Sequence, residues 1–478
     1  MVSKGVQYYT FMSGTQFLVK FGAPGYSGLQ NTFSDNYVQN GLQIDSANMS
    51  GFTGDFAWEA LLNNGPIGAG NELISSLTGN IEGGTMGYMM NTPSTVAPNF
   101  ALSYGFYDSG SADGTPLTNQ DQFYCYLSDN YSNWMGDLAA AFSTTVNGST
   151  LNQFALPGAH DSGMCTMSTS LDILASPYGA ALISSLMIVP GVGEAVSVIA
   201  ASQAPFAIQN LAITQKDSIT TMLNLGIRYF DFRPGTLYGP LAGYSPGVRY
   251  HEHAVIPGYP YIQFLEDVLN WLAAHPGEIV VVSANVQGMD GPLPSPSDLT
   301  NDLAAAFKNV NLTPEINIGN WTFLTQTYKE LIASNTRLIF LNQIVNNSSD
   351  PFYAPKNDSY FASGANYNST GYAGIITAFQ NTPASGNGVY TVLQMQGTAT
   401  GASWTVIATA IATTSHAYSP LMSTKPNNDT QTNQWLQKNV ANNFAKDQLI
   451  VFLNDFADNC MTSTAIVCTK QRMGILPS

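Results

Sequence analysis

Hydrophobic positions change rhythm near residue 129. Before it, short runs at 8–11, 16–21 and 100–107 carry aromatic and β-branched residues, and clusters of Gly, Ser, Asn and Asp separate them. That pattern predicts strands joined by tight turns, and over 1–128 a β-rich, sandwich-like module. The module shows no catalytic constellation. Binding a glycan, a lipid or a protein, or only packing against its neighbour, are all open roles for it. From 129 onward, apolar runs at 154–159, 227–232, 248–253, 279–283, 337–343, 389–396 and 449–454 alternate with helical stretches such as the amphipathic 261–274. This alternation predicts an α/β fold over 129–478, either a (β/α) barrel or a doubly wound parallel sheet.

One apolar stretch stands apart. Between 182 and 201 the only charge is Glu194, and Pro190, Gly191 and Gly193 interrupt the run. A helix that crosses a bilayer needs about 20 uninterrupted apolar residues, so two short helices around a Val-Pro-Gly-Val-Gly turn are expected instead. They form either a buried hairpin or an exposed apolar rim that dips into a lipid surface.

Length and charge narrow the classes. A chain of 478 residues is long for one domain, which agrees with the change of pattern. Only 10% of residues are charged, yet the formal net charge is −16. Such a field repels nucleic acid and anionic bilayers at long range, so nucleic acid is not an expected partner. An anionic substrate would need a local cationic pocket. Cys125, Cys165, Cys460 and Cys468 have no zinc-like spacing. Cys460 and Cys468 either close a small disulfide loop or stay as thiols. Residues 1–5 lead into polar and aromatic residues with no apolar signal core, although the overall composition favours an extracellular setting.

Four motifs place polar groups where apolar runs end. They are Leu156-Pro157-Gly158-Ala159-His160-Asp161-Ser162-Gly163, Gly226-Ile227-Arg228-Tyr229-Phe230-Asp231-Phe232-Arg233, Val248-Arg249-Tyr250-His251-Glu252-His253 and Ile450-Val451-Phe452-Leu453-Asn454-Asp455. In a parallel barrel all strand C-termini open on one face, where several strands contribute to one site. Three of the five histidines fall at these ends. Cleaving a phosphodiester needs a base for the nucleophile, an acid for the leaving oxygen and a cation for the phosphate. Two histidines of opposite protonation, an arginine and a supporting carboxylate supply that set. Each residue alone has a plainer role: His160 in a turn, Asp161 and Ser162 capping a helix, Asp231 and Arg233 as an ion pair on one strand face, and Asp455 as a strand-end cap.

The first two motifs resemble the paired signatures of phosphatidylinositol-specific phospholipase C X domains. Asn133-Trp134-Met135 resembles their opening helix, and His253-Ala254 followed by His275-Pro276-Gly277-Glu278 continues the pattern. The similarity runs from about 129 to the C-terminus. It implies a distorted (β/α) TIM-like barrel. His160 would be the general base toward the inositol 2-hydroxyl and His253 the general acid toward the lipid leaving oxygen. Arg233 would contact the phosphate, Asp161 would assist at the leaving group, and Asp455 would pair with His160. The implied products are inositol 1,2-cyclic phosphate and a neutral lipid, from phosphatidylinositol or a glycosyl-phosphatidylinositol. Calcium-dependent relatives carry a carboxylate where this chain has Arg233, so no metal or other cofactor is expected. Asp231 and Glu252 are the carboxylates a calcium site would draw on. Bacterial relatives have a membrane-facing helix at the place of 182–201, which implies transient contact with a lipid surface there.

Three differences from the family bear on the substrate. His251 competes with His253 for the acid role, and the small Ala254, where the family usually has Gly, favours His253. Gln343 stands where relatives carry an inositol-binding arginine. With Asp231 and His251 it makes up the expected substrate-binding set. The β-rich module has no counterpart in the bacterial enzymes. A different lipid headgroup and a non-catalytic, toxin-like lipid or glycan binder are the alternative readings.

Overall fold

The architecture comes from a computed structural model, which describes residues 6–22, 29–31, 36–42, 53–75, 81–86, 89–108, 121–189, 192–198, 201–344, 350–355, 358–359, 372–383, 390–397 and 420–477. Pro190 and Gly191 of the expected turn, Val389 and residues 1–5 fall outside this set.

The N-terminal part consists of two five-stranded sheets. One has the order Asn36–Leu42, Val6–Met12, Asp121–Ser128, Phe100–Asp108, Thr95–Ala97, and its central pair is parallel. The other has the order Leu29–Asn31, Phe17–Gly22, Thr53–Leu62, Gly65–Ser75, Ile81–Gly84. Side-chain alternation along a strand decides what each face covers. Val6, Tyr8 and Met12 point between the sheets, onto Phe17, Val19, Phe21, Phe56 and Phe123. Tyr9, Phe11, Tyr124 and Tyr126 leave the opposite face and pack on the rest of the chain. The first sheet is therefore covered on both sides, and all eight residues of Asp121–Ser128 are buried.

The larger part holds an eight-stranded parallel sheet. Its order is Asn317–Gly319, Thr336–Asn342, Val280–Ala284, Tyr229–Phe232, Ala155–Ala159, Leu449–Asn454, Tyr390–Gln394, Asp358–Ser359. The strands read as unbroken apolar runs because both faces are buried. Val280, Val282, Phe340, Ile450 and Phe452 share a core with the helices Tyr261–Ala274, Pro420–Asn443 and Asn459–Arg472. Val281, Ile339, Leu341, Val451 and Leu453 form a second core on the other side. Among the described residues the sheet is open, with Asn317–Gly319 and Asp358–Ser359 at its edges, so the expected barrel closure is not seen there. An isolated parallel bridge also joins Asn342, at the end of Thr336–Asn342, to Tyr353. The fold is thus mixed α/β around an open parallel sheet.

One sequence expectation is corrected and one open alternative is resolved. The run 248–253 is not a strand of the parallel sheet. Arg249–His253 is the middle strand of a separate antiparallel sheet, between Pro234–Thr236 and Ile256–Pro260. Cys460 and Cys468 do not pair. They lie eight residues apart on one helix, Asn459–Arg472, which separates them by about 12 Å, well beyond the reach of about 7 Å for a disulfide. All four cysteines are buried and none is in a disulfide.

A buried ion pair anchors the base of the parallel sheet. Arg228 and Glu278 are both fully enclosed. The guanidinium donates from Nε to Glu278 Oε2 at 2.8 Å, and its Nη2 lies 2.7 Å from the same oxygen. It also donates to the carbonyls of Leu223, Ile227 and Ser132 and lies 4.5 Å from the centre of the Trp271 ring. The other Glu278 oxygen accepts from the Gly136 N–H. Both residues belong to the motifs noted above, and here they hold the helix Trp134–Ala141 to the strands.

Candidate active site

The site grows out of three sharp turns. His160 follows Ala155–Ala159, His253 ends its antiparallel strand, and Asp455 follows Leu449–Asn454. Each is succeeded by a non-glycine residue in the left-handed region: Asp161 (φ 44°), Ala254 (φ 55°) and Phe456 (φ 48°). Such conformations are strained for a side chain and persist only where surroundings enforce them. The enforcing bonds are visible. Ser162 donates from its N–H and its hydroxyl to the Asp231 carbonyl, Phe456 N–H donates to Thr214 O, and Ala254 N–H donates to Gly288 O.

These turns aim side chains at one point. His160 Nδ1 lies 2.8 Å from Asp455 Oδ1, and Arg233 Nη2 lies 3.0 Å from His160 Nε2. A guanidinium has no lone pair to offer and an ionised carboxylate no proton. The proton of neutral His160 therefore sits on Nδ1, and the Nε2 lone pair faces Arg233. Arg233 Nη1 is 2.6 Å from Asp161 Oδ1, and its Nη2 donates to Asp231 Oδ2 at 3.2 Å. Asp231 is in turn held by Asn285 and by the Asp161 N–H. His253 stands on the far side of Asp161, with Nε2 3.8 Å from Oδ2 and its side chain 29% exposed. His251 is fully buried. Its Nδ1 accepts the Arg233 N–H at 3.2 Å, and its Nε2 lies 3.4 Å from Asp161 Oδ1.

The electrostatics differentiate the imidazoles. Burial lowers His160, but Asp161 and Asp455 more than offset it, so its pKa lies above the ordinary histidine value. His253 is lowered to about 4, by burial first, with Asp161 opposing and Arg233 adding to the effect. His251 is lowered mainly by burial and stays neutral. Asp161 is buried, which favours its acid form, but Arg233 and the histidines hold it well below the usual carboxylate range.

A cavity of about 330 Å³ opens over this group, a volume at the small end of ligand sites. His160, Asp161, Arg233, His253 and Asp455 all line it. Asp231 and His251 stand behind the lining and brace Arg233 and Asp161. Gln343 is not brought to the cavity. Both ends of its amide are taken up inside the sheet, Oε1 by the Ser283 hydroxyl and Nε2 by the Pro355 carbonyl. The sequence reading missed Gln287, Asp290, Thr214 and Gln396, which also line the cavity. Of these only Gln396 carried a signal, since it closes an apolar strand run. Its amide donates to Gln394 Oε1, and its own Oε1 has no hydrogen-bond partner among the described residues. A larger cavity of about 570 Å³ beside the helix Pro296–Val310 has only Lys308 and Glu315 as ionisable residues. No histidine is among its described lining residues, so volume alone does not locate the site.

Two further expectations have a place here. In the stretch 182–201, Leu182, Leu186, Val189, Val192, Ala195 and Val196 are buried, while Met187 and Ile188 are 48% and 56% exposed. Buried hairpin and exposed rim thus coexist, and Val189 also lines the cavity. For a metal, His160, Asp161 and Asp231 bring donor atoms within 4.8 Å of one another. The guanidinium of Arg233 already contacts all three, and a divalent cation there would have to displace it.

Comparison with known proteins adds little at the level of sequence: no family model matches the chain, and no curated protein matches it. Among solved structures, the chain is similar to a phosphatidylinositol-specific phospholipase C from Staphylococcus aureus at 14% identity and a TM-score of 0.42, over 71% of this chain and 97% of that one. It is similar to the phosphatidylinositol-specific phospholipase C from Listeria monocytogenes at 13% identity and a TM-score of 0.41, over 71% and 98%.

Proposed function

We propose that this protein is a metal-independent phosphodiesterase that cleaves phosphatidylinositol or glycosyl-phosphatidylinositol. The observation that carries the reading is the polarity of His160: Asp455 holds a proton on Nδ1 and Nε2 is left as a base, beside Arg233 and across Asp161 from a second imidazole. The phosphate docks on Arg233. His160 Nε2 takes the proton of the inositol 2-hydroxyl, whose oxygen attacks phosphorus. The bond from phosphorus to the lipid oxygen breaks, and His253 gives that oxygen its proton. The products are an inositol 1,2-cyclic phosphate and a neutral lipid, with His160 protonated and His253 neutral. Arg233 is the one lysine or arginine among the described residues lining the cavity, and Asp290 adds negative charge at its rim. That balance supports a headgroup without further phosphates.

The pH dependence follows from the two imidazoles. The free protein has His160 raised above its ordinary value and His253 lowered to about 4, whereas turnover needs His160 neutral and His253 protonated. With one proton shared between them, the productive form is a constant minor fraction between the two values and disappears outside them. The expected kcat/KM is therefore flat from about pH 4 up to the raised value of His160 and falls on the alkaline side. An initial-rate series across that range checks it. A profile still rising well above neutrality would contradict the assignment.

Release of cyclic inositol phosphate from mixed phosphatidylcholine–phosphatidylinositol vesicles in excess chelator tests the whole reading. Turnover is expected to be the same with and without chelator. Silence in chelator with rescue by calcium would overturn the metal-free claim, and turnover of choline lipids alone would overturn the headgroup. In the same assay Ile188→Asp is expected to slow cleavage of vesicles but not of a short-chain soluble diester, because apolar insertion into neutral lipid needs no charge attraction.

A further inference from the structure

The N-terminal sheets touch the larger part directly behind His160. Two segments receive them. In the first, Lys216 donates to Ser94 Oγ at 3.0 Å, and Asp217 accepts from the Ser94 N–H and hydroxyl, both at 2.7 Å. The adjoining Gln215 amide donates to the carbonyls of His160 at 2.7 Å and Asn454 at 3.1 Å and accepts the Ala457 N–H. In the second segment, Asn459 donates to the carbonyls of Ala101 and Tyr126.

Between them sits a buried cation. Lys425, on the helix Pro420–Asn443, is 3% exposed. Its Nζ lies 5.8 and 5.7 Å from the ring centres of Tyr124 and Tyr126, on the face of the N-terminal sheet that looks away from its own core. It donates to Asp429 and, at 2.6 Å, to Asp458. Burial alone would lower this ammonium, but the two carboxylates reverse the shift. From there the path is continuous. Asn454 Nδ2 donates to Asp429 Oδ1 at 2.7 Å, Asn454 Oδ1 accepts the Asp455 N–H at 3.0 Å, and Asp455 holds His160. Asp458 meanwhile caps the helix Asn459–Arg472, three residues past Asp455, through the Met461 N–H.

We propose that Lys425, clamped between Tyr124 and Tyr126 of the N-terminal sheet and the carboxylates of Asp429 and Asp458, is a positioning residue that fixes the turn presenting Asp455 to His160. The β-rich part is then a working component of the active site rather than an attached binding module. The arrangement explains two otherwise costly features together. A fully enclosed lysine with two carboxylates gains little stability over a packed apolar cluster, and Phe456, held at φ 48° between Asp455 and the Asp458 cap, needs rigid support.

This inference rests on reading His160 as the base, so the test uses two readouts. The first is kcat and KM of the full-length protein on phosphatidylinositol vesicles. The second is the downfield Nδ1 proton resonance of His160, assigned by its loss in His160→Ala, which reports the Asp455 bond without any substrate. Lys425→Met is expected to lower kcat roughly 10-fold or more with KM little changed, the scale on which outer-sphere supports act, and to shift or broaden the resonance. If Lys425→Met does not fold, Asn454→Ala breaks the same path while leaving the ion pair intact, and the same changes are expected. A folded variant with wild-type kcat or an unmoved resonance overturns the proposal. A wild-type protein that cleaves no phosphodiester sinks the reading of the function instead, and leaves the resonance to judge Lys425.

Discussion

Replacing His160 with alanine is expected to lower kcat on phosphatidylinositol roughly 10²- to 10⁴-fold, the usual contribution of a positioned general base, with KM nearly unchanged. The split follows from geometry. On the proposed reading the phosphate would be held by Arg233, whose contacts with Asp161 and Asp231 do not involve the imidazole that is removed. What disappears is the Nε2 lone pair that Asp455 keeps available, an interaction made with the proton in flight rather than with bound substrate. Steady-state kinetics on vesicles checks this, with folding followed by circular dichroism. If the variant retained every measurable activity, the α/β part would be a lipid or glycan binder that merely looks catalytic.

The largest expected loss of stability lies away from the cavity. Glu278→Ala leaves the guanidinium of Arg228 enclosed without its counter-charge, a change that costs about 3–5 kcal/mol when one partner of a buried pair is removed. It also frees the Gly136 N–H and so loosens the helix Trp134–Ala141. Urea unfolding of the two proteins measures the difference. Activity per folded molecule is expected to survive, because neither Arg228 nor Glu278 lines the cavity. Loss of turnover without loss of stability would mean that this pair belongs to the site.

How much was legible in the sequence depended on whether a local pattern determined the answer. The helix 261–274 was readable to the residue because one apolar stripe at helical spacing is buried and the rest is not. The strand 449–454 was readable because both its faces are buried, leaving an unbroken apolar run. The hairpin holding His253 was misplaced because alternation looks the same in parallel and antiparallel strands, and its partners, Pro234–Thr236 and Ile256–Pro260, are rich in Pro and Gly. The helix carrying Cys460 and Cys468 was hidden by its Thr and β-branched residues, which tertiary burial and the Asp458 cap override. For the candidate site, strand ends pointed to His160, Arg233 and Asp455, which the structure brings to one cavity, but not to which way a polar side chain turns. Gln343 faces Ser283, and His251 faces the back of Asp161. Gln287 and Asp290 come from a loop with no periodicity to read.

The most direct test is a crystal structure with a non-cleavable phosphonate analogue of phosphatidylinositol. The phosphonate is predicted to lie on Arg233, with the inositol 2-hydroxyl against His160 Nε2, the lipid-side atom toward His253, and the sugar beside Gln396. A phosphonate seated away from Arg233, or His160 turned so that Nε2 meets neither the guanidinium nor the sugar, would contradict the account.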